Sequence, residues 1–192
     1  MKVYLKQSVR ALKFLALTLV LTGLYTLAVL GVSQLFFPAR AQGSLVAAGD
    51  AQTSLLAGAN FRDPGYLWGR LQKQQAMQKE DGSWYVIGVP ANSDTGSQEY
   101  QEKKEQRTAQ VRQANPDAKG EVPRELVTYS GSGNDPDISL EAALWQVPRI
   151  AKARGMEEKA VEELIQDNVN PGWLSEKTVS VVQVNLALDE QE

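Results

Sequence analysis

Residues 14–37 read FLALTLVLTGLYTLAVLGVSQLFF, a run of 24 residues without a charge. As an α-helix this run would extend about 36 Å, and the hydrocarbon core of a bilayer is about 30 Å thick. Lys13 and Arg40 bound the uncharged segment. The pattern therefore predicts one transmembrane helix over residues 14–37, in contact with the lipid bilayer.

A cleaved signal peptide is the main alternative for this segment, because residues 39–41 resemble the A-x-A pattern of a signal-peptidase site. The apolar region of a signal peptide is about 7–15 residues long, much shorter than this one. Pro38 and Arg40 also fit poorly beside a cleavage point. A buried helix of a soluble domain does not need an uncharged surface all round. We therefore expect the helix to be retained in the membrane.

Basic residues are unevenly distributed along the chain. Residues 1–40 carry five basic residues and no acid, whereas residues 41–192 carry 15 basic and 23 acidic residues, a net charge of −8. Four of the five N-terminal basic residues precede the helix. The positive-inside rule then predicts a cytoplasmic N-terminus, residues 1–13, and an extracytoplasmic remainder. We divide that remainder into a stalk, residues 38–60, and a domain, residues 61–192.

Most polar side chains of the predicted helix share one face, within an arc of about 100°. We call the five the hydroxyl stripe: Thr18, Thr22, Tyr25, Thr26 and Ser33. A hydroxyl in lipid is better placed against a partner helix, so the stripe is a candidate subunit contact. The alternative is that Thr and Ser bond their own backbone and face any direction. Tyr25 favours the partner contact, because a phenol at mid-bilayer cannot bond its own backbone.

The composition excludes several functional classes. The chain has no cysteine and no histidine. Disulfide frameworks, zinc ribbons, iron–sulfur clusters, thiol nucleophiles and Ser-His-Asp triads are therefore excluded. With a net charge of −3, the chain lacks the excess of basic residues that is typical of a nucleic-acid-binding protein. We expect a non-catalytic protein with no catalytic residue and no metal site.

The exported domain is predicted to be α+β, with a short sheet and helices packed on it. Strands are expected over residues 84–89, 126–129 and 178–189, the last from the alternation of Val182, Val184, Leu186 and Leu188. Helices are expected over residues 97–113, 139–154 and 157–168, the second kinked at Pro148. Helices and strands do not alternate regularly enough for a doubly wound sheet.

The most distinctive segment, residues 129–139, reads YSGSGNDPDIS. It lacks the lysine of a P-loop, the histidine partner of a G-x-S-x-G elbow, and the later ligands of a calcium loop. The simplest interpretation is a glycine turn in which Asp137 or Ser139 caps the following helix.

Two other features allow two interpretations each. Residues 61–70 combine a Pro-Gly turn with aromatic side chains, which indicates either core anchors or a partner contact. Trp145, Arg149 and Lys152 share a helix face away from the apolar stripe. That face is either a docking surface or packs under a neighbouring loop.

Together these segments resemble the C subunit of the Kdp-type potassium-transporting ATPases of bacteria. The resemblance rests on YLWGR at 66–70, SGSG at 130–133, DP at 135–136, IS at 138–139, QVPR at 146–149 and NLALD at 185–189. The sequence departs from the family pattern at Asn134 and Asp137, where Leu and His are usual, and at residues 71–72, where LQ stands for PS.

The resemblance implies a non-catalytic subunit of a bacterial inner-membrane pump. Its partners would be a channel-like potassium-translocating subunit, a P-type ATP-hydrolysing subunit and a small single-span subunit. It would have no cofactor of its own, because the complex handles ATP, magnesium and potassium. It would act as a catalytic chaperone that raises the ATP affinity of the hydrolysing subunit, indirectly if its domain lies outside.

The resemblance also implies which residues of the domain contact other subunits. They are Ser130, Gly131, Ser132, Gly133, Asp135, Pro136, Ser139, Gln146, Arg149, Arg154, Asn185 and Asp189. The alternative function is a free-standing, single-pass extracytoplasmic binding module.

Overall fold

The computed structural model describes residues 2–48, 51–172 and 176–191. The chain divides into two compact units, Met1–Leu45 and Val46–Glu192. The first unit contains helix α1, Lys2–Phe36, and the short helix α2, Pro38–Ala41. Within Lys6–Phe36 of α1, an 18-residue stretch has a mean hydropathy of 2.1, and the apolar side chains are exposed. By length and composition α1 can cross a membrane, which agrees with the prediction for residues 14–37.

Two two-stranded sheets come first in the rest of the chain. Strands β1, Leu45–Ala48, and β2, Ala51–Ser54, pair in the first. Strands β3, Gln74–Gln78, and β4, Trp84–Gly88, form the second. The predicted strand over residues 84–89 is confirmed.

Helix α3, Gln98–Ala114, confirms the predicted polar helix. Ser97 caps it by accepting a hydrogen bond from the Tyr100 N–H. Helix α6, Glu158–Asp167, confirms the helix predicted over residues 157–168.

The helix predicted over residues 139–154 is divided into α4, Leu140–Leu144, and α5, Val147–Arg154. Pro148 has no N–H to continue the α4 ladder, so the expected kink is a break. Ser139 caps α4 through the Ala142 N–H, as predicted. Gly155 ends α5 with a φ of 65°.

A three-stranded antiparallel sheet lies beside these helices. It contains β5, Asp137–Ser139, β6, Val169–Asn170, and β7, Thr178–Ser180, in the order β5-β7-β6. The main core lies between this sheet, α4 to α6 and the C-terminal helix α7, Val181–Asp189. Its largest fully buried side chains are Leu67, Ile138, Ile150, Val161, Ile165, Val179 and Leu188. The unit is therefore α+β, as predicted.

The strand predicted over residues 178–189 is wrong beyond Ser180. Residues 178–180 form β7, but Val181–Asp189 is helix α7. Valine favours strands only weakly, and packing overrides that preference. Val181, Val184 and Leu188 are buried at helical spacing, and Ser180 caps the helix through the Gln183 N–H. Both signals are present in the sequence, but the alternation of Val182, Val184, Leu186 and Leu188 fits a strand equally well, so the sequence alone does not decide between them.

The strand predicted over residues 126–129 is also wrong. Arg124–Val127 is a 3₁₀ helix that begins after Pro123. Its tight turn buries the consecutive residues Leu126 and Val127 against Val111 of α3. Only Tyr129 makes a strand-like bridge, parallel to Leu71.

Candidate functional site

Residues 63–70, which we call the strap, begin with a turn in which the Tyr66 N–H donates to the Asp63 carbonyl at 3.2 Å. Side chains of α5 and α7 contact the strap, and Asp135 contacts it at Arg70. None of its residues belongs to a helix or strand. Nearly all the motifs singled out in the sequence bond to it or to the residues beside it. The candidate site is therefore the strap with the side chains that hold it.

Two buried carboxamides hold consecutive strap residues by their backbone. Gln146 accepts from the Trp68 N–H at 3.0 Å and donates to the Trp68 carbonyl at 3.0 Å. Asn185 accepts from the Leu67 N–H at 2.7 Å and donates to the Leu67 carbonyl at 3.0 Å. Each carboxamide thus makes the pair of bonds that a neighbouring β-strand would make. Leu67 and Trp68 are thus bonded like residues of a strand, although none of the described strands lies beside them.

Arg149 fastens the strap on the side of α5. Its guanidinium donates to the Pro64 carbonyl, to the Tyr66 carbonyl at 2.9 Å and to the Gln146 side-chain oxygen at 2.7 Å. Its Nε donates to the side-chain oxygen of Asn115 at 2.9 Å. Only 6% of the residue is exposed, and burial lowers its pKa to about 10.

The guanidinium of Arg149 has no ion-pair partner in the described part of the chain. It lies 4.2 Å from the centre of the Trp68 ring, a cation–π contact. Its charge is therefore compensated by carbonyl and amide dipoles, by the ring and by the charge of the nearby Asp63 carboxylate.

Arg154 fastens the first half of the strap. It donates to the Gly65 carbonyl at 2.7 Å and pairs with Asp189 at 2.7 Å. Its guanidinium also lies 4.9 Å from the Tyr66 ring centre. Tyr66 donates to Asp189 at 3.3 Å. Burial and this hydrogen bond to Asp189 raise the pKa of Tyr66.

The other end of the strap is tied to the loop that follows the glycines. Arg70 pairs with Asp135 at 3.1 Å and donates to the Tyr129 carbonyl at 3.1 Å. Gln72 accepts from the Asp135 N–H at 3.0 Å and donates to the Asp135 carbonyl at 2.8 Å. Burial, and then the nearby Asp135 carboxylate, raise the pKa of Asp137.

The glycine loop, residues 130–133, is hydrogen-bonded to the start and end of the β3–β4 hairpin. The Gly133 carbonyl accepts from the Lys73 N–H at 2.9 Å, and the Gly131 carbonyl accepts from the Ala91 N–H at 3.3 Å. Gly133 has a φ of +71°, and a Cβ there would overlap the Val89 carbonyl and lie 2.7 Å from the Lys73 carbonyl oxygen. Gly131 faces open space. Only Gly133 is therefore required to be glycine by its surroundings.

Two residues that depart from the family pattern lie together beside this loop. Asn134 accepts from the Gly58 N–H at 3.1 Å and from the Gln74 side chain at 2.8 Å. Gln72 binds the next residue, Asp135, as described above. The departures supply polar contacts that hold residues 134–135 in place.

The sequence-derived site residues are thus largely brought together, and most bond within this chain. Ser139 donates to Glu125 as well as capping α4. Sequence reasoning missed Asn115, Trp68, Glu125 and Gln72, whose roles depend on contacts with distant residues. Asn115 was visible only as the end of α3 before Pro116. The role of the twelve residues in contacting other subunits stays a prediction.

Trp145 and Arg149 pack within the chain, whereas Lys152 is exposed, so the packing interpretation holds for two of the three residues. Trp145 is half-buried against the cluster of Val111 and Leu126, with the Arg112 guanidinium 5.1 Å from its ring centre. Arg149 is buried, and Lys152 pairs with Asp117 at 3.5 Å.

The hydroxyl stripe on α1 has two kinds of member. Thr18 donates to the Phe14 carbonyl and Thr26 to the Thr22 carbonyl, each at 2.9 Å, as the backbone-bonding alternative expected. Tyr25 is 71% exposed, and its hydroxyl has no hydrogen-bond partner among the described residues. Tyr25 is therefore the stripe residue that most needs an external partner.

No group of three or more His, Cys, Asp or Glu side chains in the described ranges comes together as a metal site. Most polar side-chain atoms around the strap form hydrogen bonds within the chain, although the buried Nε of Arg70 has no partner among the described residues. The arrangement can hold a backbone rigidly, and it presents no nucleophile paired with a base.

Comparison with known proteins gives a match along nearly the whole chain. Residues 7–190 match the family described as KdpC, the c chain of K+-transporting ATPase. The potassium-transporting ATPase KdpC subunit of Clostridium botulinum is 37% identical over 92% of this chain and 91% of its own length. That of Serratia proteamaculans is 38% identical over 97% of both chains. That of Rhodopseudomonas palustris is 42% identical over 91% of this chain and 92% of its own length.

Replacing Arg149 with methionine is expected to destabilise the chain by at least about 3 kcal/mol, because buried acceptors left without a donor cost about 1–3 kcal/mol each. Those acceptors are the Pro64 and Tyr66 carbonyls and the Asn115 side chain. Urea unfolding of the full chain in detergent, followed by tryptophan fluorescence, measures this. Lys152→Met is the control, since the exposed pair with Asp117 is worth at most about 1 kcal/mol. Similar midpoints for the two variants would contradict the role of Arg149.

Gly133→Ala is expected to lower stability by more than about 2 kcal/mol, since a left-handed backbone costs an L-residue about 1–2 kcal/mol before any overlap. Gly131→Ala, two residues away, should change stability by less than about 0.5 kcal/mol, as an open surface substitution does. Thermal unfolding of both variants in the same detergent compares them. Equal losses would show that the loop does not depend on contact with the Lys73 and Val89 carbonyls.

Proposed function

Because this chain belongs to the KdpC family, the c chains of K+-transporting ATPases, we propose that it assembles with two larger subunits of that pump through α1. The chain is an accessory subunit of the ATPase and not its catalytic subunit. Membership of this family replaces the alternative of a free-standing binding module. The larger partners are a channel-like potassium-translocating subunit and a P-type ATP-hydrolysing subunit, joined by a small single-span subunit.

The observation that carries this proposal is the unpartnered hydroxyl of Tyr25. It lies at the middle of the uncharged segment, on a helix whose surface is apolar and exposed. Water is absent at that depth, so a phenol there needs a hydrogen-bond partner from another protein segment. Thr22 and Ser33 share its face.

The domain is proposed to lie outside the cell, with the N-terminus in the cytoplasm. The basic residues at positions 2, 6, 10 and 13 support this orientation through the positive-inside rule.

An effect on ATP affinity must then be indirect. A bound subunit changes the affinity of a distant site only by contacting one conformation of its partner better than another. The stripe on α1 is the surface from which such a difference in contacts would reach the hydrolysing subunit.

Replacing Thr22 with valine and Tyr25 with phenylalanine is expected to weaken assembly and lower potassium-stimulated ATPase activity. Each hydrogen bond between helices in a membrane contributes about 0.6–2 kcal/mol, or roughly a three- to thirtyfold change in association. Co-purification of the complex in mild detergent, with ATPase activity of the purified complex, measures both effects.

The matched control is Thr18→Val with Thr26→Val, which also removes two hydroxyls from the stripe. Both donate to their own backbone, so the loss should be smaller. Equal recovery of wild-type and Thr22→Val/Tyr25→Phe complexes would reject the stripe as the contact.

Single cysteines provide the test of orientation, since the chain has none of its own. Glu162→Cys, exposed on α6, is expected to react with a membrane-impermeant maleimide in intact spheroplasts. Ser8→Cys, near the start of α1, should react only after lysis. The reverse pattern would place the domain in the cytoplasm and reopen direct contact with ATP.

A further inference from the structure

One groove of the domain is lined mainly by basic side chains, although the domain as a whole is acidic. Residues 41–192 have a net charge of −8, yet a groove of about 480 Å³ is lined by five basic side chains and two acidic ones. The basic ones are Arg62, Lys73, Lys103, Lys104 and Arg107. Like charges gathered in one groove repel one another, and a groove lined by one sign of charge concentrates counter-ions.

The two acids in the groove already have partners. Glu99 pairs with Lys103 at 2.5 Å, and Asp94 accepts from the Gly96 N–H at 3.0 Å. Lys73 donates to the Ala91 carbonyl at 2.9 Å. Arg62, Lys104 and Arg107 have no carboxylate partner in the described ranges of the chain. Four of the five cations thus have no carboxylate partner among the described residues, and three of them, Arg62, Lys104 and Arg107, carry the argument below.

The position of Arg107 is fixed by the fold. It is half-buried, its Nε donates to the Leu126 carbonyl at 3.4 Å, and it lies 5.7 Å from the Trp68 ring centre. Burial and the charge of Arg62 lower the pKa of Arg107. Both arginines also line an adjoining cavity of about 210 Å³. The guanidinium of Arg107 is thus held in place near that of Arg62, which is exposed.

We propose that this groove is a binding site for a phosphate-bearing anion, held between Arg62, Lys104 and Arg107. Arginine presents donors in a planar fork that matches the oxygens of a phosphate group, and lysine adds a point charge. Two sources carry that chemistry: a free inorganic phosphate and the headgroup of an anionic phospholipid. Leu71, Tyr100 and Tyr129 also line the groove, whose volume has room for a ligand larger than the phosphate group alone.

The test is calorimetric titration of inorganic pyrophosphate into the full chain in an uncharged detergent. Saturable binding is expected, and Arg62→Gln/Lys104→Gln should weaken it about tenfold or more through lost charge-assisted hydrogen bonds. Neither side chain makes a hydrogen bond to the described residues, so the double variant should unfold at the wild-type temperature.

Lys159→Gln/Lys177→Gln is the control, because it removes the same charge from exposed positions elsewhere. It should bind pyrophosphate within about twofold of wild type, since exposed charges beyond about 10 Å are screened in ordinary buffer. An equal loss in the control variant would overturn the site and leave only a general charge effect.

A second titration, in mixed micelles containing phosphatidylglycerol, distinguishes the two sources. Displacement of pyrophosphate by the lipid, or lipid binding alone that the Arg62→Gln/Lys104→Gln variant loses, supports the site with a headgroup as ligand. Pyrophosphate binding that phosphatidylglycerol leaves unchanged supports the site with free phosphate as ligand. Binding of neither probe to the wild-type chain would overturn the proposal, and an acidic segment of a protein partner would then account for the cations.

Discussion

The guanidinium of Arg149 is the contact on which the arrangement of the domain depends. It is buried, it has no carboxylate partner in the described part of the chain, and its hydrogen bonds reach the strap, α3 and α4–α5 at once. A buried cation is tolerated only when its donors are satisfied, so every element that supplies an acceptor must be in place together. This requirement couples the strap to the helical core.

In the folded chain, most residues of the family motifs either belong to the strap or bond to it. The side chains of Gln146 and Asn185 bond to the strap as the backbone of a neighbouring strand would. Arg154 and Asp189 hold the strap near Tyr66, and Asp135 holds Arg70. Motifs that suggest a binding site in the amino-acid sequence can thus serve to stabilise the fold of the domain. This accounts for a distinctive sequence in a subunit that performs no chemistry of its own.

The surfaces that remain for other molecules are those whose polar groups the fold leaves unused. On α1 this is the face of Tyr25, whose neighbours Thr18 and Thr26 already bond their own backbone. On the domain it is the basic groove beside Arg62 and Arg107. The first surface, as proposed, needs a partner helix with a hydrogen-bond acceptor, and the second needs an anion, so the two proposals concern different kinds of ligand.

The sequence by itself determined the apolar helix, the polar helix α3, the cap at Ser139, the α+β class and the family, because each depends on local composition, spacing or a contiguous motif. It could not determine the state of residues 181–189, since alternating valines satisfy both a strand and a helix until the side chain of Asn185 meets the Leu67 backbone. The roles of Asn115, Gln72 and Trp68 were also decided only by tertiary structure. Their partners lie far away in the chain, and a one-dimensional pattern carries no information about which distant backbone a buried amide will meet.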